Sequence, residues 1–187
     1  MLNFLFKKDP VRSQAETLYA AIAEQALAPE FFMVAGAPDT PEGRFDMIAL
    51  HMFLAVERLR RDAPANDRLV QRLQEVFFEH LDGALREMGV GDLSVGRKIR
   101  GLAEAFYGRY AAYRDALFAG NSALSAAIAR NVLGLADTSK GVPLADYAIS
   151  ARGVLGAAAV DNLPTAIAAL GSLSRSKFRG EGDEQRA

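Results

Sequence analysis

The sequence predicts an all-α protein, a single compact multi-helix domain of about six to seven helices followed by a disordered C-terminal tail. Three observations predict it. Apolar residues recur at three- and four-residue intervals along most of the chain, which is the period of one helix face. Asp, Asn, Pro and Gly fall at the ends of these periodic runs, where helices start and stop. No stretch alternates apolar and polar residues as a half-buried strand does, and no internal repeat is present.

Asp9 followed by Pro10 is a cap with proline at the first helical position, and Val11, Ala15, Leu18 and Ile22 then share a face. Residues 27–43 hold Pro29, Gly36, Pro38 and Pro41 and read as a connection whose Phe31, Phe32, Met33 and Val34 fold back onto the domain. A second helix spans about 42–61. Its stripe of Phe45, Ile48, Met52, Val56 and Leu59 is widened nearly all round by Met47, Leu50, Phe53 and Leu54, the mark of a central helix. Arg58, Arg60 and Arg61 in its last turn complement the helix dipole. A third helix begins after a cap at Asn66, carries Leu69, Leu73, Val76, Phe77, Leu81 and Leu85 on one side, and stops at Gly89.

A fourth helix opens near residue 93, capped by Asp92 or Ser94, and aligns Val95, Ile99, Leu102, Phe106, Tyr110, Tyr113 and Leu117. Gly101 and Gly108 inside it each cost about 1 kcal/mol against alanine, so another backbone is expected to pack closely there. A fifth helix carries Leu124, Ile128 and Val132 and ends at Gly134. A sixth starts at Pro143, and a short seventh runs from Pro164 through Leu170. The domain therefore covers 9–170, with an alanine-rich extension over 121–170. Residues 171–187 are polar and charged and read as a disordered tail.

Composition narrows the function classes. The chain has 187 residues and a net charge of −1, so no global positive excess points to nucleic acid, and no specific DNA binding is expected. It contains no cysteine, which excludes disulfides, thiolate metal sites and thiol nucleophiles. The apolar run 45–56 contains Asp46 and His51 and is too short to span a bilayer. The N-terminal Phe4-Leu5-Phe6 precedes Lys7 and Lys8 rather than following them, unlike a secretory signal. It reads as an end docked on the core, or as a weak interfacial anchor. A cytoplasmic protein is expected, with a peripheral position at the inner face of the cytoplasmic membrane as the further option.

Signatures of enzyme chemistry fail in turn. Gly91-Asp-Leu-Ser-Val-Gly96-Arg97-Lys98 has the glycine spacing of a phosphate loop, but arginine stands at the lysine position and lysine at the magnesium-binding hydroxyl position. The element before it is a helix where that motif needs a strand. Its glycines instead permit a turn between helices. His51 and His80 are the only histidines and lack partners at a metal-binding spacing. His51 reads as a hydrogen-bonded group in a buried helix, serving Asp46 or a neighbouring carbonyl, and His80 as an exposed residue beside Glu79. No catalytic residue, cofactor or metal ligand is assigned. The remaining feature is charge: Arg97, Lys98, Arg100, Arg109 and Arg114 lie on the fourth helix with Glu104 among them. This is either a solvated face or a surface for a polyanionic or acidic partner. Tyr107, Tyr110 and Tyr113 add side chains of the kind enriched at interfaces, with two of them expected in the core.

Two passages carry more than helical period. Gly43-Arg-Phe-Asp-Met-Ile-Ala-Leu-His-Met-Phe-Leu-Ala-Val-Glu-Arg-Leu-Arg60 is one. The other is Leu85-Arg-Glu-Met-Gly-Val-Gly-Asp-Leu-Ser-Val-Gly-Arg-Lys-Ile-Arg100 with Ala105-Phe-Tyr-Gly-Arg-Tyr-Ala-Ala-Tyr113 after it. In word order they resemble the chaperones that assist assembly of ubiquinol–cytochrome c reductase, the cytochrome bc1 complex, and the resemblance covers roughly 15–117. It implies a non-enzymatic, all-helical assembly factor with no catalytic residues to transfer. Mitochondrial members work with a small partner, associate with the ribosome near its tunnel exit and hold newly made cytochrome b. The start of this chain almost directly at its first helix suits a bacterial homologue, which need not share those partners. The implied surface comprises Arg44, Asp46 and His51 with Gly91, Asp92, Ser94, Arg97, Lys98, Arg100, Tyr107 and Arg109. The expected binder of a nascent membrane protein has an apolar groove with a basic rim, here between the glycine-rich turn and the central helix. The basic helix 95–114 is expected to meet a ribosome or an anionic membrane. The alternative is a helical lipid or isoprenoid-quinone binding module.

Overall fold

The structure is a computed structural model that describes residues 9–179. Among the described residues there are eight α-helices and no strand: α1 Pro10–Ala26, α2 Pro29–Met33, α3 Pro41–Arg61, α4 Asp67–Glu87, α5 Asp92–Ala119, α6 Asn121–Asn131, α7 Val142–Ala157 and α8 Leu163–Arg179. Short 3-10 turns, Thr138–Gly141 and Val160–Asn162, precede α7 and α8.

Local chemistry sets the helix starts. The Asp9 carboxylate accepts from the Val11 N–H at 3.1 Å, and the Thr40 hydroxyl accepts from the Gly43 N–H at 3.1 Å. Each satisfies a donor that the first turn leaves open. At Gly43 the preceding loop lies directly on α3: a Cβ there would stand 2.0 Å from the Pro38 carbonyl oxygen. Gly89, at φ +82°, turns the chain from α4 toward α5. Two expected caps do not form. The Asn66 amide donates instead to the Leu59 carbonyl at the end of α3, 3.1 Å away. At the start of α5, Gly91 holds the cap position with no side-chain bond, and Asp92 pairs with Arg86.

Helix α3 occupies the centre. Met47, Leu50, Met52, Phe53, Leu54, Ala55, Val56 and Leu59 are all 2% exposed or less, so the helix is apolar nearly all round because it is packed nearly all round. The other long helices close a ring about it, α1 on α4, α4 on α5, α5 on α6, α6 on α7, α7 on α8 and α8 on α1. Of these, α1, α4, α5 and α7 also pack on α3 itself. The alanine-rich segment therefore closes the same domain. Within the connection 27–43, a five-residue helix places Phe31 at full burial, edge-on to His51, Tyr147 and Phe178 with ring centres 5.3, 5.0 and 5.6 Å away. Phe32 is half-buried, whereas Met33 and Val34 stay exposed.

Helix α8 runs through Arg179, well past the Leu170 at which the sequence reading ended it and into the expected tail. Leu170, Ser174 and Phe178 form a buried stripe at four-residue spacing. The stripe contains a serine, which hides the period. Its hydroxyl is satisfied inside, donating to Glu30 Oε1 at 2.5 Å and accepting from Gln25 Nε2 at 3.4 Å. The rest of the expected tail, 180–187, and the N-terminal Phe-Leu-Phe lie outside the described residues.

Candidate functional site

The two distinctive sequence passages meet at the crossing of α3 and α5. Asp46, in the second turn of α3, is 8% exposed, and Arg109 of α5 brings Nη2 within 2.7 Å of its Oδ1. The same guanidinium stands 5.4 Å from the centre of the Phe45 ring, a cation–π contact. Burial pushes the Asp46 carboxyl up to about 6, outweighing the attraction of Arg109. The ion pair is short but poorly aligned for hydrogen bonding. Asp46 Oδ1, Arg109 Nε and the hydroxyl of Tyr113 are all buried without a hydrogen-bond partner. Burial also raises the Tyr113 phenol well above its usual range, keeping it neutral. This polar crossing fixes where α5 lies on α3 and leaves some of its hydrogen-bonding capacity unused.

From that crossing α5 carries a solvent face toward its N-terminus. Arg97, Lys98, Arg100 and Glu104 are exposed, as are Gly91 and Asp92, while Ser94 is half-buried. The ion pairs of α5 are those of Asp92, Arg109 and Arg114; Arg97, Lys98 and Arg100 make none among the described residues. Apolar groups stand on the same helix and the turn before it: Leu93 is 99% exposed, Met88 57%, Tyr107 50% and Phe118 88%. Gly96, Gly101 and Gly108 have nothing within 4 Å of a built Cβ. The expected close backbone partner at Gly101 and Gly108 is therefore absent among the described residues. Of the three tyrosines, Tyr113 is core, Tyr110 half-buried and Tyr107 exposed.

Arg44 and His51 are not brought to this face. Arg44 pairs with Asp39 at 2.7 Å and ties the preceding loop to the start of α3. His51 is 3% exposed, with Nδ1 2.9 Å from the Met47 carbonyl and Nε2 2.8 Å from the Tyr147 hydroxyl. A carbonyl only accepts, so Nδ1 carries the proton and Nε2 accepts from Tyr147. Gln25 Nε2 in turn donates to the Tyr147 oxygen at 3.3 Å. Burial pulls the histidine down to about 4, so it is neutral. The expected carbonyl partner is present. Asp46 is not a partner, because Arg109 takes it.

The cleft beside α3 is not the groove expected next to the glycine-rich turn. An open cleft of about 530 Å³ runs beside α3 between α1 and α4, with Tyr19, Ile48, Leu81, Gly83 and Ala84 in its walls and Glu79 and Glu87 among its lining. The glycine-rich turn does not line it, and its polar groups are acidic rather than basic. His80 lies there too, exposed and stacked on Tyr19 at 4.6 Å. Among the described residues no cluster of metal-ligating side chains occurs, and no helix is long and apolar enough to cross a membrane.

Sequence reasoning missed the role of Arg58. Its guanidinium leaves its own helix end to bind the Leu155 and Ala158 carbonyls at the end of α7, at 3.0 and 2.8 Å, while Asp62 holds it at 2.6 Å. The side chain thus caps the C-terminus of α7 from the last turn of α3. Only its place in the last turn of α3 was readable, since the partners lie about a hundred residues away.

The architecture defines a small all-α protein in which one buried helix is enclosed by a ring of others, and one long helix leaves a basic, glycine-bearing face to solvent. The chain belongs to the ubiquinol-cytochrome C chaperone family, which it matches over residues 34–170. It is 23% identical over 128 residues to ubiquinol-cytochrome-c reductase complex assembly factor 1 of Xenopus laevis, an alignment covering 68% of this chain and 64% of that protein. Its structure is similar to the crystal structure of the Cbp3 homologue from Brucella abortus, with a TM-score of 0.71 and 35% identity, covering 83% of this chain and 86% of that one. The family match runs past Leu117, where the sequence resemblance ended, and takes in α6, α7 and the first part of α8.

Proposed function

We propose that this protein is a non-enzymatic chaperone for assembly of the bc1 complex, holding a newly made membrane subunit, cytochrome b or a related client, on the solvent face of α5. One observation carries the reading: among the described residues α5 combines Leu93 and Tyr107 in solvent, Arg97, Lys98 and Arg100 without ion pairs, and three glycines with open space above them. A monomeric helix gains nothing from glycine on a bare face, where each costs about 1 kcal/mol. A second helix laid on that face would approach the backbone closely at Gly101 and Gly108, as small residues allow at helix–helix contacts. The names borne by the similar proteins supply the client class. Family membership supports the absence of catalytic machinery in the scheme.

The basic residues beside the glycines suit the polyanionic surroundings in which such a client emerges, the surface of a ribosome. The lipid or quinone reading loses one support, because the apolar surface of α3 is covered by its own neighbours. The test is capture of in vitro synthesised cytochrome b by purified protein. Arg97→Glu with Lys98→Glu is expected to lower capture about tenfold at unchanged helicity, since each reversal near a charged surface is worth about 1 kcal/mol or more. Undiminished capture by that folded variant contradicts the proposed face.

A further inference from the structure

A second basic feature lies away from the Arg97–Arg100 face, at the other end of α5. The C-terminal turns of α3 and α5 and the last turns of α7 enclose a cleft of about 290 Å³. Four guanidinium groups line it, Arg60 and Arg61 from α3, Arg114 from α5 and Arg152 from α7, with Glu57 as the one carboxylate in the lining. Glu57 is shared: Arg61 reaches it at 3.0 Å and Arg152 at 3.1 Å. Arg60 has no carboxylate partner among the described residues; its guanidinium lies over the Tyr110 ring, 5.1 Å from the centre. Arg114 is paired only with its sequence neighbour Asp115, at 2.9 Å. Gly156 keeps space for Arg61, since a Cβ there would meet its Nη1 at 2.7 Å.

Even with Asp115 counted, the cluster holds an excess of two positive charges from three helices within one concavity. Like charges gathered at short range repel unless an anion joins them. Guanidinium forks from several directions are the arrangement that takes up phosphate oxygens. The lip of the cleft adds a different chemistry. Phe118 is 88% exposed beside Arg114, one turn along α5, and Leu117 lies half-buried beneath it. A large aromatic side chain in solvent next to arginines is a pattern that inserts into the headgroup–acyl boundary of a bilayer while the cations meet lipid phosphates. A soluble phosphate compound would need the guanidiniums but not Phe118.

We propose that the cleft between the ends of α3, α5 and α7 is a binding site for the phosphate headgroup of an anionic phospholipid, with Phe118 entering the bilayer beside it. It would hold the chaperone peripherally on a membrane and is separate from the client face. Its test needs no client, so it stands or falls apart from the chaperone reading.

The experiment is sedimentation of the purified full chain with vesicles of phosphatidylcholine alone, or of an equimolar mixture with phosphatidylglycerol. The expected result is binding to the mixed vesicles only, weakened by salt. Arg60→Glu with Arg114→Glu should lower it about tenfold or more, and Phe118→Ser should lower it as well. All three side chains are exposed, so far-UV circular dichroism should be unchanged; the milder Arg60→Gln with Arg114→Gln provides a second reading if the double reversal misfolds. Arg97→Glu with Lys98→Glu should leave most of the binding in place. Equal binding to both vesicle types overturns the proposal, as does loss of binding in the Arg97/Lys98 variant but not in the Arg60/Arg114 variant. Glycerol phosphate added without lipid separates the sources. If it binds the wild type while neither vesicle type sediments the protein, the ligand is a soluble phosphate compound and the lipid assignment is wrong.

Discussion

Two buried ionisable side chains on α3 push its acid stability in opposite directions. His51 is held neutral: its value falls from 6.5 to about 4 on folding because burial disfavours the charged imidazolium. A lowered folded value means that its contribution is complete above pH 6.5 and is lost as the pH falls toward 4, a loss on the order of 3 kcal/mol. Asp46 works the other way. Its value rises from 3.8 to about 6, so the folded state binds the proton more tightly and stability from this group declines as the pH rises from 4 through 6. Denaturant titrations at several pH values separate the two. His51→Gln keeps a partner for Tyr147 without titrating there, and it should flatten the acid loss between pH 6.5 and 4. Asp46→Asn removes the opposing contribution and should make that loss steeper. Arg58→Ala should destabilise at neutral pH by about 2–3 kcal/mol, since it unpairs carbonyls at the end of α7; an unchanged denaturation midpoint would contradict the capping role. At this scale the sequence left His51 to Asp46 or a neighbouring carbonyl, and the carbonyl four residues back is the partner that forms. It could not show Tyr147 or Arg109, which arrive through the ring of helices.

Helix α5 owes its character to glycines whose meaning depends on what lies above them. At Gly43 in α3 a Cβ collides with the Pro38 carbonyl, so Gly43→Ala should cost about 1–3 kcal/mol, like other overpacking changes. At Gly101 the space is open, and Gly101→Ala should raise stability by about 0.5–1 kcal/mol through helix propensity alone. Chemical denaturation of the two variants checks both signs. A gain at Gly101 together with weaker client capture by Gly101→Leu would locate the use of the glycine outside the monomer. Helix periods, proline starts and the central rank of α3 were legible in the sequence, because they follow from side chains within one element. The reach of α8 was not. Its buried stripe passes through Ser174, whose hydroxyl meets Glu30 and Gln25, far away in the chain, as well as the Gly171 carbonyl one turn back.

For the whole molecule, the ring of helices around α3 explains why the two distinctive passages sit where they do. The first forms the enclosed helix. The second forms the turn and the long helix laid across it, and Asp46 with Arg109 pins one to the other. Residue order alone was enough to recognise the family, and the structure took Arg44 and His51 off the α5 face, Arg44 to a loop tie and His51 to the core. The basic residues were readable as a cluster, but their freedom from ion pairs and the bare glycines beside them depend on packing between helices. The most direct measurement is photo-crosslinking in the native cell, with a photoreactive residue at position 101 on α5 and, for comparison, at the exposed Ser172 on α8. The account predicts that newly made cytochrome b, or another bc1 subunit, is recovered from position 101 and not from 172. Recovery from 172 alone, or of no bc1 subunit from a folded and expressed protein, would contradict it.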